Sequence, residues 1–213
     1  MSQKEAFLAA LDFVLASEGG LIDHPADPGG ITYAGISLRA VVGLKDENGQ
    51  LEFDLDHDGD VDADDIRMLA VLGDSTGGRK LKESFYRRYY WKRAQCDLMP
   101  WPISLLVFDA AVNHGPRPAV LMLQRALRVT ADGITGEETL HAVAEAQPDA
   151  WRRYLVERGF LYYQLSVRQG LRDAKPSFGE ADAKDVIEAT PFYRGWLKRL
   201  FDLQAECLRP VRQ

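Results

Sequence analysis

Residues 18–36 read Glu-Gly-Gly-Leu-Ile-Asp-His-Pro-Ala-Asp-Pro-Gly-Gly-Ile-Thr-Tyr-Ala-Gly-Ile, an acidic residue followed by a loop rich in glycine and proline. Apolar residues at helical spacing precede this stretch: Ala6, Phe7, Ala10, Leu11, Val14 and Leu15. Paired glycines such as Gly19 and Gly20 are typical of a helix end. We therefore expect Glu18 at the C-terminus of a first helix, followed by a tight loop that holds at most a short hairpin.

The loop carries residue types that suit glycoside hydrolysis. A carboxyl group that is partly removed from water at a helix C-terminus keeps its proton more readily, so Glu18 can protonate a glycosidic oxygen. Asp27 and Thr32 add a carboxylate and a hydroxyl that can stabilise an oxocarbenium-like state or orient water. We predict these three residues as catalytic and Tyr33 as a substrate contact. The alternatives are a surface glutamate at a helix end and a turn role for Asp27 before Pro28.

Residues 54–65 have the spacing of a Ca²⁺ loop of the EF-hand type. Gly59 stands at position 6, and position 7 offers the backbone carbonyl of Asp60. Carboxylates stand at positions 1, 3, 5, 9 and 12: Asp54, Asp56, Asp58, Asp62 and Asp65. So dense a set of like charges favours a bound cation, although a metal-free, solvated loop is the alternative. We expect a bound Ca²⁺ with a structural or regulatory role. The sequence does not define its affinity, because position 12 is Asp65, where EF-hand loops usually have Glu.

Composition bounds the class of protein. The chain has 213 residues, 46% hydrophobic and 27% charged, with a net charge of −6. These values are typical of a soluble globular protein, and a pI of about 5.3 argues against nucleic acid as the partner. The apolar runs are shorter than the ~20 residues of a membrane span. Basic residues between positions 79 and 93 indicate either an anionic polymer partner or a solvated helix face.

Three further expectations come from the same survey. Cys96 and Cys207 lack metal-type spacing and are expected to be free, buried thiols. The N-terminus has no signal-peptide pattern, so we expect synthesis in the cytoplasm and action on the cell wall. We expect a monomer, because no long apolar patch stands out in the sequence.

Hydrophobic periodicity predicts a mainly α fold with at most a small β element. We expect helices over 37–44, 66–72, 80–91, 104–113, 118–127, 135–146, 150–169 and 192–207, with a break at 74–78 and a loop over 170–185. Pro100 and Pro102 mark the expected boundary between a catalytic region, 1–99, and a helical region, 100–213. The Ca²⁺ loop lies in an insert over 45–73 of the first region.

These motifs resemble family 108 glycoside hydrolases, which are lysozyme-like N-acetylmuramidases. The likeness rests on Glu18-Gly19-Gly20, Asp27-Pro28-Gly29-Gly30, Thr32 and Gly35-Ile36. It continues in an aromatic helix through Tyr86, Tyr90 and Trp91. Further matches are at 109–115, 123–127, 132–136, 139–140 and 195–199, which resemble a peptidoglycan-binding-like region. The acidic loop departs from the family pattern as an insertion.

The resemblance implies a lysozyme-like fold with Glu18 as the catalytic acid. Asn113 and His114 would line the cleft, although capping or packing of helices is an equal alternative for both. It implies cleavage of the β-1,4 bond between N-acetylmuramic acid and N-acetylglucosamine of bacterial peptidoglycan by a phage endolysin that reaches the wall through a holin. The alternatives are a lytic transglycosylase and a non-catalytic, calcium-dependent wall-binding or secretion accessory protein.

Overall fold

The fold is mainly α with one two-stranded sheet, as the hydrophobic periodicity predicts. The computed structural model describes residues 1–23, 30–146, 149–173 and 193–209. The chain divides into two compact units, Phe7–Tyr89 and Met1–Ala6 with Tyr90–Gln213. The predicted boundary at Pro100 and Pro102 stays a prediction, as does the 45–73 insert.

The elements of the Phe7–Tyr89 unit follow in chain order. Helix α1 is Gln3–Leu15, whose first residues belong to the other unit. The strands β1 and β2 are Thr32–Tyr33 and Ile36–Ser37. Three helices follow, α2 over Leu38–Val41, α3 over Ala63–Leu72 and α4 over Thr76–Tyr86. A π-helical turn, Arg87–Trp91, continues from α4 and crosses the unit boundary.

The predicted break at 74–78 is wrong from Thr76 onward, because α4 begins there despite two glycines. Ser75 caps the helix, since its side chain accepts a hydrogen bond from the Gly78 backbone N–H. A Cβ on Gly78 would lie 2.5 Å from the backbone oxygen of Gly73. This glycine therefore allows the chain to pack closely against itself, and its helix-breaking tendency is overridden.

The second unit is built from a short 3₁₀ turn and five helices within the described residues. The turn is Cys96–Leu98. The helices are α5 over Ile103–His114, α6 over Pro116–Leu127, α7 over Glu137–Ala144, α8 over Ala150–Asp173 and α9 over Tyr193–Cys207. Helix α5 is almost entirely buried. Residues 174–185 of the predicted loop lie outside the described residues, and 170–173 are helical, which corrects that part of the prediction.

The two cysteines are free, as predicted, and Cys96 is buried whereas Cys207 is half-buried. Burial raises the pKa of the Cys96 thiol well above its usual value. Each described helix is too short or too polar to span a bilayer.

A buried ion triad joins α5, α8 and α9 in the second unit. Asp109 accepts from Arg199 at 2.7 and 3.0 Å and forms an ion pair with Arg158, and both Asp109 and Arg158 are fully buried. Burial alone would raise the pKa of Asp109, but the two guanidinium groups outweigh it and hold that pKa below its usual value. Because each charge is costly without its partner, the triad fixes how the three helices meet.

Asp109→Asn should lower the free energy of unfolding by about 3–5 kcal/mol at neutral pH, because it leaves buried guanidinium groups without their carboxylate. Since the folded-state pKa of Asp109 is depressed, its contribution is present above the unfolded value of about 4 and is lost as pH falls through the folded value. The deficit should therefore shrink in acid. Urea unfolding at several pH values measures it, with Asp202→Asn, at an exposed pair with Lys198, as the control. Equal losses for the two variants would contradict the prediction.

Candidate active site

A two-residue hairpin turn shapes the site. Strands β1 and β2 pair antiparallel with Tyr33 opposite Ile36, so Ala34 and Gly35 form the turn. Both have positive φ, 46° and 73°, as the favoured hairpin turns require. Ile22 and Thr32 exchange two backbone hydrogen bonds of 2.8 Å, which bring the segment after Glu18 alongside the hairpin. The hairpin predicted from the glycine-rich stretch is confirmed.

Glu18 lies in the turn that follows α1, three residues beyond the end of the helix at Leu15. Its backbone N–H donates to the Leu15 carbonyl at 3.2 Å, so the turn continues the helical path. The side chain is half-buried and lines a cleft of about 390 Å³. Gly19 and Gly20 line the same cleft and, without side chains, leave its floor open to a ligand.

Helix α4 and the turn before it supply charged groups to the cleft. The Lys82 side chain is only 3% exposed, and its Nζ donates to Asp74 Oδ1 at 2.6 Å. This hydrogen bond from Lys82 lowers the pKa of Asp74. Arg79 forms ion pairs with Asp12 at 2.7 Å and with Glu83 at 2.9 Å. The charges therefore compensate one another within the cleft.

Tyr33, the last residue of β1, contributes an aromatic ring to the cleft. It lines the cleft and is half-buried. The Lys82 ammonium lies 5.8 Å from the centre of its ring, a distance at which a cation and an aromatic face attract. The ring is therefore held by its neighbours and can offer an apolar surface to a sugar.

The backbone of Gly35 comes close to two oxygens. A Cβ on this residue would lie 2.5 Å from the Tyr86 hydroxyl and 2.9 Å from Glu18 Oε2. Tyr86, the last residue of α4, is fully buried and donates its hydroxyl proton to the Ala34 carbonyl at 2.8 Å. The hairpin turn, the end of α4 and the turn after α1 thus meet at the backbone of Gly35.

The other predicted catalytic residues have different positions. Thr32 lies in β1, and its hydroxyl donates to the Gly30 carbonyl at 3.2 Å rather than lining the cleft. Asp27 lies outside the described residues. The catalytic roles of both stay predictions.

Asn113 and His114 belong to the second unit. The Asn113 side-chain amide donates to the Asp109 backbone carbonyl at 2.7 Å, within its own helix. The ring of His114 packs edge-on against Tyr162, 5.4 Å between centroids. Burial, followed by the charge of Arg158, lowers the pKa of His114 to about 4, so the imidazole is neutral at pH 7. Both have structural contacts, and a contact with substrate stays a prediction.

Sequence reasoning missed most of the cleft wall opposite Glu18. It treated Arg79 and Lys82 as members of a basic face, yet Lys82 is buried and both are paired with carboxylates. Tyr86 was assigned to an aromatic helix without a role at the site. The one signal was the i, i+3 spacing of Arg79 and Lys82, which places them on one side of α4.

The acidic loop belongs to the same unit as the cleft but contributes no residue to its lining. Carboxylate oxygens at loop positions 1, 3, 5 and 9 accept from backbone N–H groups of Gly59, Asp58, Asp60 and Asp64. Asp65 is buried and accepts from the backbone of Leu55 and Asp62 at 2.6 and 2.7 Å. These bonds wrap the loop around its carboxylates, and Asp62 caps α3.

Two sets of three aspartates in this loop, which share Asp65, bring their carboxylate oxygens together. Within each set, one oxygen from each residue lies within 4.8 Å of the other two; the sets are Asp54, Asp56 and Asp65, and Asp60, Asp62 and Asp65. Asp58 is in neither group. The negative charge of Asp58 is the largest cause that raises the pKa of Asp60 above its usual value. The loop thus gathers oxygens at a spacing suited to a divalent cation of radius near that of Ca²⁺.

Residues 11–115 match the family model described as glycosyl hydrolase 108, and residues 118–201 match one described as a predicted peptidoglycan domain. The protein is a glycoside hydrolase. Its catalytic match contains Glu18 and every residue of the cleft, and the two matches together support peptidoglycan as the polymer that it degrades.

A solved structure, that of Brucella abortus SagA, is similar over nearly the whole chain. The two share 25% sequence identity with a TM-score of 0.63, over 96% of this chain and 95% of that chain. No curated protein matches the sequence. The specific bond, the phage endolysin setting, the access through a holin and the monomeric state stay predictions for this glycoside hydrolase.

Gly35→Ala should reduce wall hydrolysis severely, because the added methyl group would crowd the Glu18 carboxyl and the Tyr86 hydroxyl. Gly43→Ala is the matched control, since Gly43 also has positive φ, 77°, but no atom within 4 Å of the added Cβ. Both should lose about 1 kcal/mol of stability to backbone strain, measured by urea unfolding, and Gly35→Ala should lose more because its methyl group also crowds the buried Tyr86 hydroxyl. Only the first should lose activity, measured as turbidity loss of purified walls. Equal activity of the two variants would contradict the crowding argument.

Proposed function

We propose that this glycoside hydrolase cleaves the β-1,4 bond between N-acetylmuramic acid and N-acetylglucosamine, with Glu18 as the general acid. The observation that carries the proposal is the position of Glu18, half-buried in a cleft with a glycine floor, inside the match to family 108. A carboxyl group that is partly shielded from water and open to a ligand suits proton donation.

The chemistry requires one proton and one water molecule. Glu18 transfers its proton to the glycosidic oxygen as the bond from that oxygen to the anomeric carbon breaks. The sugar then develops positive charge, and water adds at the anomeric carbon with loss of a proton to a base. We assign Asp27 to stabilise that charge or to activate the water. Thr32 would help to orient the water through its hydroxyl group. The stereochemical outcome depends on the separation of the two carboxyl groups.

The cleft also suits a glycan in its other walls. Tyr33 offers an aromatic face beside the acid, and exposed backbone at Gly19 and Gly20 allows a flat ring to approach closely. The charged groups are already paired with one another, so a largely uncharged sugar does not have to neutralise them. These features support a polysaccharide substrate.

Ca²⁺ is the second part of the proposal. Asp54 Oδ2 accepts from Gly59, whereas Asp54 Oδ1 is buried and finds no hydrogen-bond partner among the described residues. A buried carboxylate oxygen without a donor is costly unless a cation is nearby. Oxygens of Asp54, Asp56, Asp60, Asp62 and Asp65 would hold the ion, which pins the loop to α3 and takes no part in bond cleavage.

Glu18→Gln should lower the rate of hydrolysis of purified peptidoglycan by at least about 100-fold, because the amide cannot donate an acidic proton. Glu47→Gln, at an exposed residue of the same unit, is the matched control and should retain full activity. Turbidity loss measures the rate, and circular dichroism checks that both variants fold.

Mass spectrometry of the released fragments separates the alternatives. Hydrolysis yields fragments that end in reducing N-acetylmuramic acid. A lytic transglycosylase would instead release fragments that end in 1,6-anhydro-N-acetylmuramic acid. Sedimentation with walls and no turbidity loss by the native protein would favour a binding protein. A Glu18→Gln variant as fast as the native enzyme would refute the catalytic assignment.

Addition of Ca²⁺ to EGTA-treated protein should raise its Tm by roughly 5 °C or more at saturating concentration, since a ligand of the folded state stabilises it. Asp54→Asn should weaken this response, because it removes the charge of the buried oxygen. Asp64→Asn is the control: Asp64 stands at loop position 11, belongs to neither carboxylate group and pairs with Arg67. An unchanged Tm for native protein in millimolar Ca²⁺ would exclude the site.

A further inference from the structure

Helix α8 of the second unit presents a row of exposed side chains along one side. Among its side chains described over 150–168, the exposed ones are Arg152, Val156, Phe160, Tyr163 and Arg168. The first four follow one another at spacings of four, four and three residues, so they share one side of the helix. We call these four residues the α8 stripe. The buried Tyr154, Arg158 and Tyr162 lie on the opposite side.

The middle of the α8 stripe is apolar and aromatic. Val156, Phe160 and Tyr163 are 70%, 55% and 51% exposed. The rings of Phe160 and Tyr163 stack with 6.4 Å between their centroids and 26° between their planes. From Val156 to Tyr163 the stripe covers about 10 Å along the helix axis. Large apolar side chains that are exposed side by side, rather than singly, indicate a contact surface.

The charge of this surface restricts what it can contact. Arg152 forms no ion pair with any described residue, and its guanidinium group lies 5.1 Å from the centre of the Trp151 ring. Its neighbour Arg153, in contrast, pairs with Asp149. None of the exposed side chains described on α8 is acidic, and Arg168 adds a second cation. The fitting partner therefore combines apolar faces with negative charge.

Peptidoglycan has both properties. Its sugar rings have apolar faces that suit aromatic side chains, and its stem peptides carry carboxylates that suit a guanidinium group. The whole stripe lies within residues 118–201, which match the predicted peptidoglycan domain. We propose that the α8 stripe is a wall-binding surface, where Phe160 and Tyr163 stack against sugar rings and Arg152 pairs with a stem-peptide carboxylate. This inference rests on the proposed substrate but not on catalysis by Glu18.

A second copy of the chain is the competing occupant of the α8 stripe. A two-fold contact between two such stripes would place two positively charged surfaces against each other, without an exposed carboxylate on either to compensate. The anionic wall polymer has the opposite charge. It also rewards a second contact, because an attachment point in the same chain keeps the enzyme near an insoluble substrate between cleavage events.

The test is sedimentation with purified peptidoglycan, with every variant in a Glu18→Gln background so that the walls persist. Phe160→Ala combined with Tyr163→Ala should weaken binding by roughly tenfold or more, because exposed aromatic side chains at a contact carry much of its binding energy. Phe201→Ala is the matched control, since it removes a 66% exposed ring from α9 of the same unit. It should change binding by less than about twofold.

A charge variant tests the role of Arg152 separately. Arg152→Gln should make the binding of walls less sensitive to added NaCl, because salt screens an exposed ion pair. Thermal unfolding checks that the variants fold, which their exposed positions allow.

Two results would overturn the inference. The first is equal wall binding by the double variant and the Phe201→Ala control. The second is a native dimer, seen by sedimentation velocity, that the double variant loses, because the stripe would then hold a second copy. Failure of the proposed function looks different: native protein would leave walls intact while the double variant still bound them more weakly than the control.

Discussion

The absence of a side chain at Gly35 is the constraint on which the arrangement of the cleft depends. At φ 73° a residue with a Cβ is strained, and here the Cβ would also enter the space between Tyr86 and Glu18. The tight turn of β1 and β2 thus closes the hairpin and, without a side chain at Gly35, leaves room for both the Tyr86 hydroxyl and the Glu18 carboxyl group beside its backbone. The Ala34 carbonyl in the same turn accepts the hydroxyl proton of Tyr86 and fixes the orientation of that phenol.

Helix α3 links the acidic loop to the cleft within the Phe7–Tyr89 unit. Its first turn is capped by Asp62 and carries Asp65, which holds the loop backbone. Its far end leads through Gly73 to Asp74, the partner of Lys82 in the cleft. Midway, Arg67 pairs with Asp23 at 2.7 Å, in the segment that follows Glu18. A cation that stiffened the loop would therefore act on the helix that supports one cleft wall.

The sequence predicts the helices well where apolar spacing is regular, as in α5 and α6, because burial of one face dominates there. The prediction is wrong at the start of α4, because the close approach of Gly78 to Gly73 is a tertiary contact that hydrophobic periodicity cannot reveal. The same limit applies to the site. Glu18 and the loop around it could be found from a contiguous motif, whereas Lys82 and Tyr86 depend on how α4 meets the hairpin. A buried lysine cannot be told from an exposed one until its carboxylate partner is placed.

The electrostatics of the cleft favour a substrate that brings little charge to the bond that is cleaved. Burial of Lys82 is tolerated because its ammonium group donates a hydrogen bond to Asp74 Oδ1 at 2.6 Å and lies over the face of the Tyr33 ring. Arg79 is similarly engaged by two carboxylates. With the cations paired inside the protein, the proposed function leaves the shape of the cleft, its exposed backbone and the Tyr33 ring to select the substrate. A glycan ring meets those requirements, since its faces are apolar and its hydroxyl groups bond to backbone.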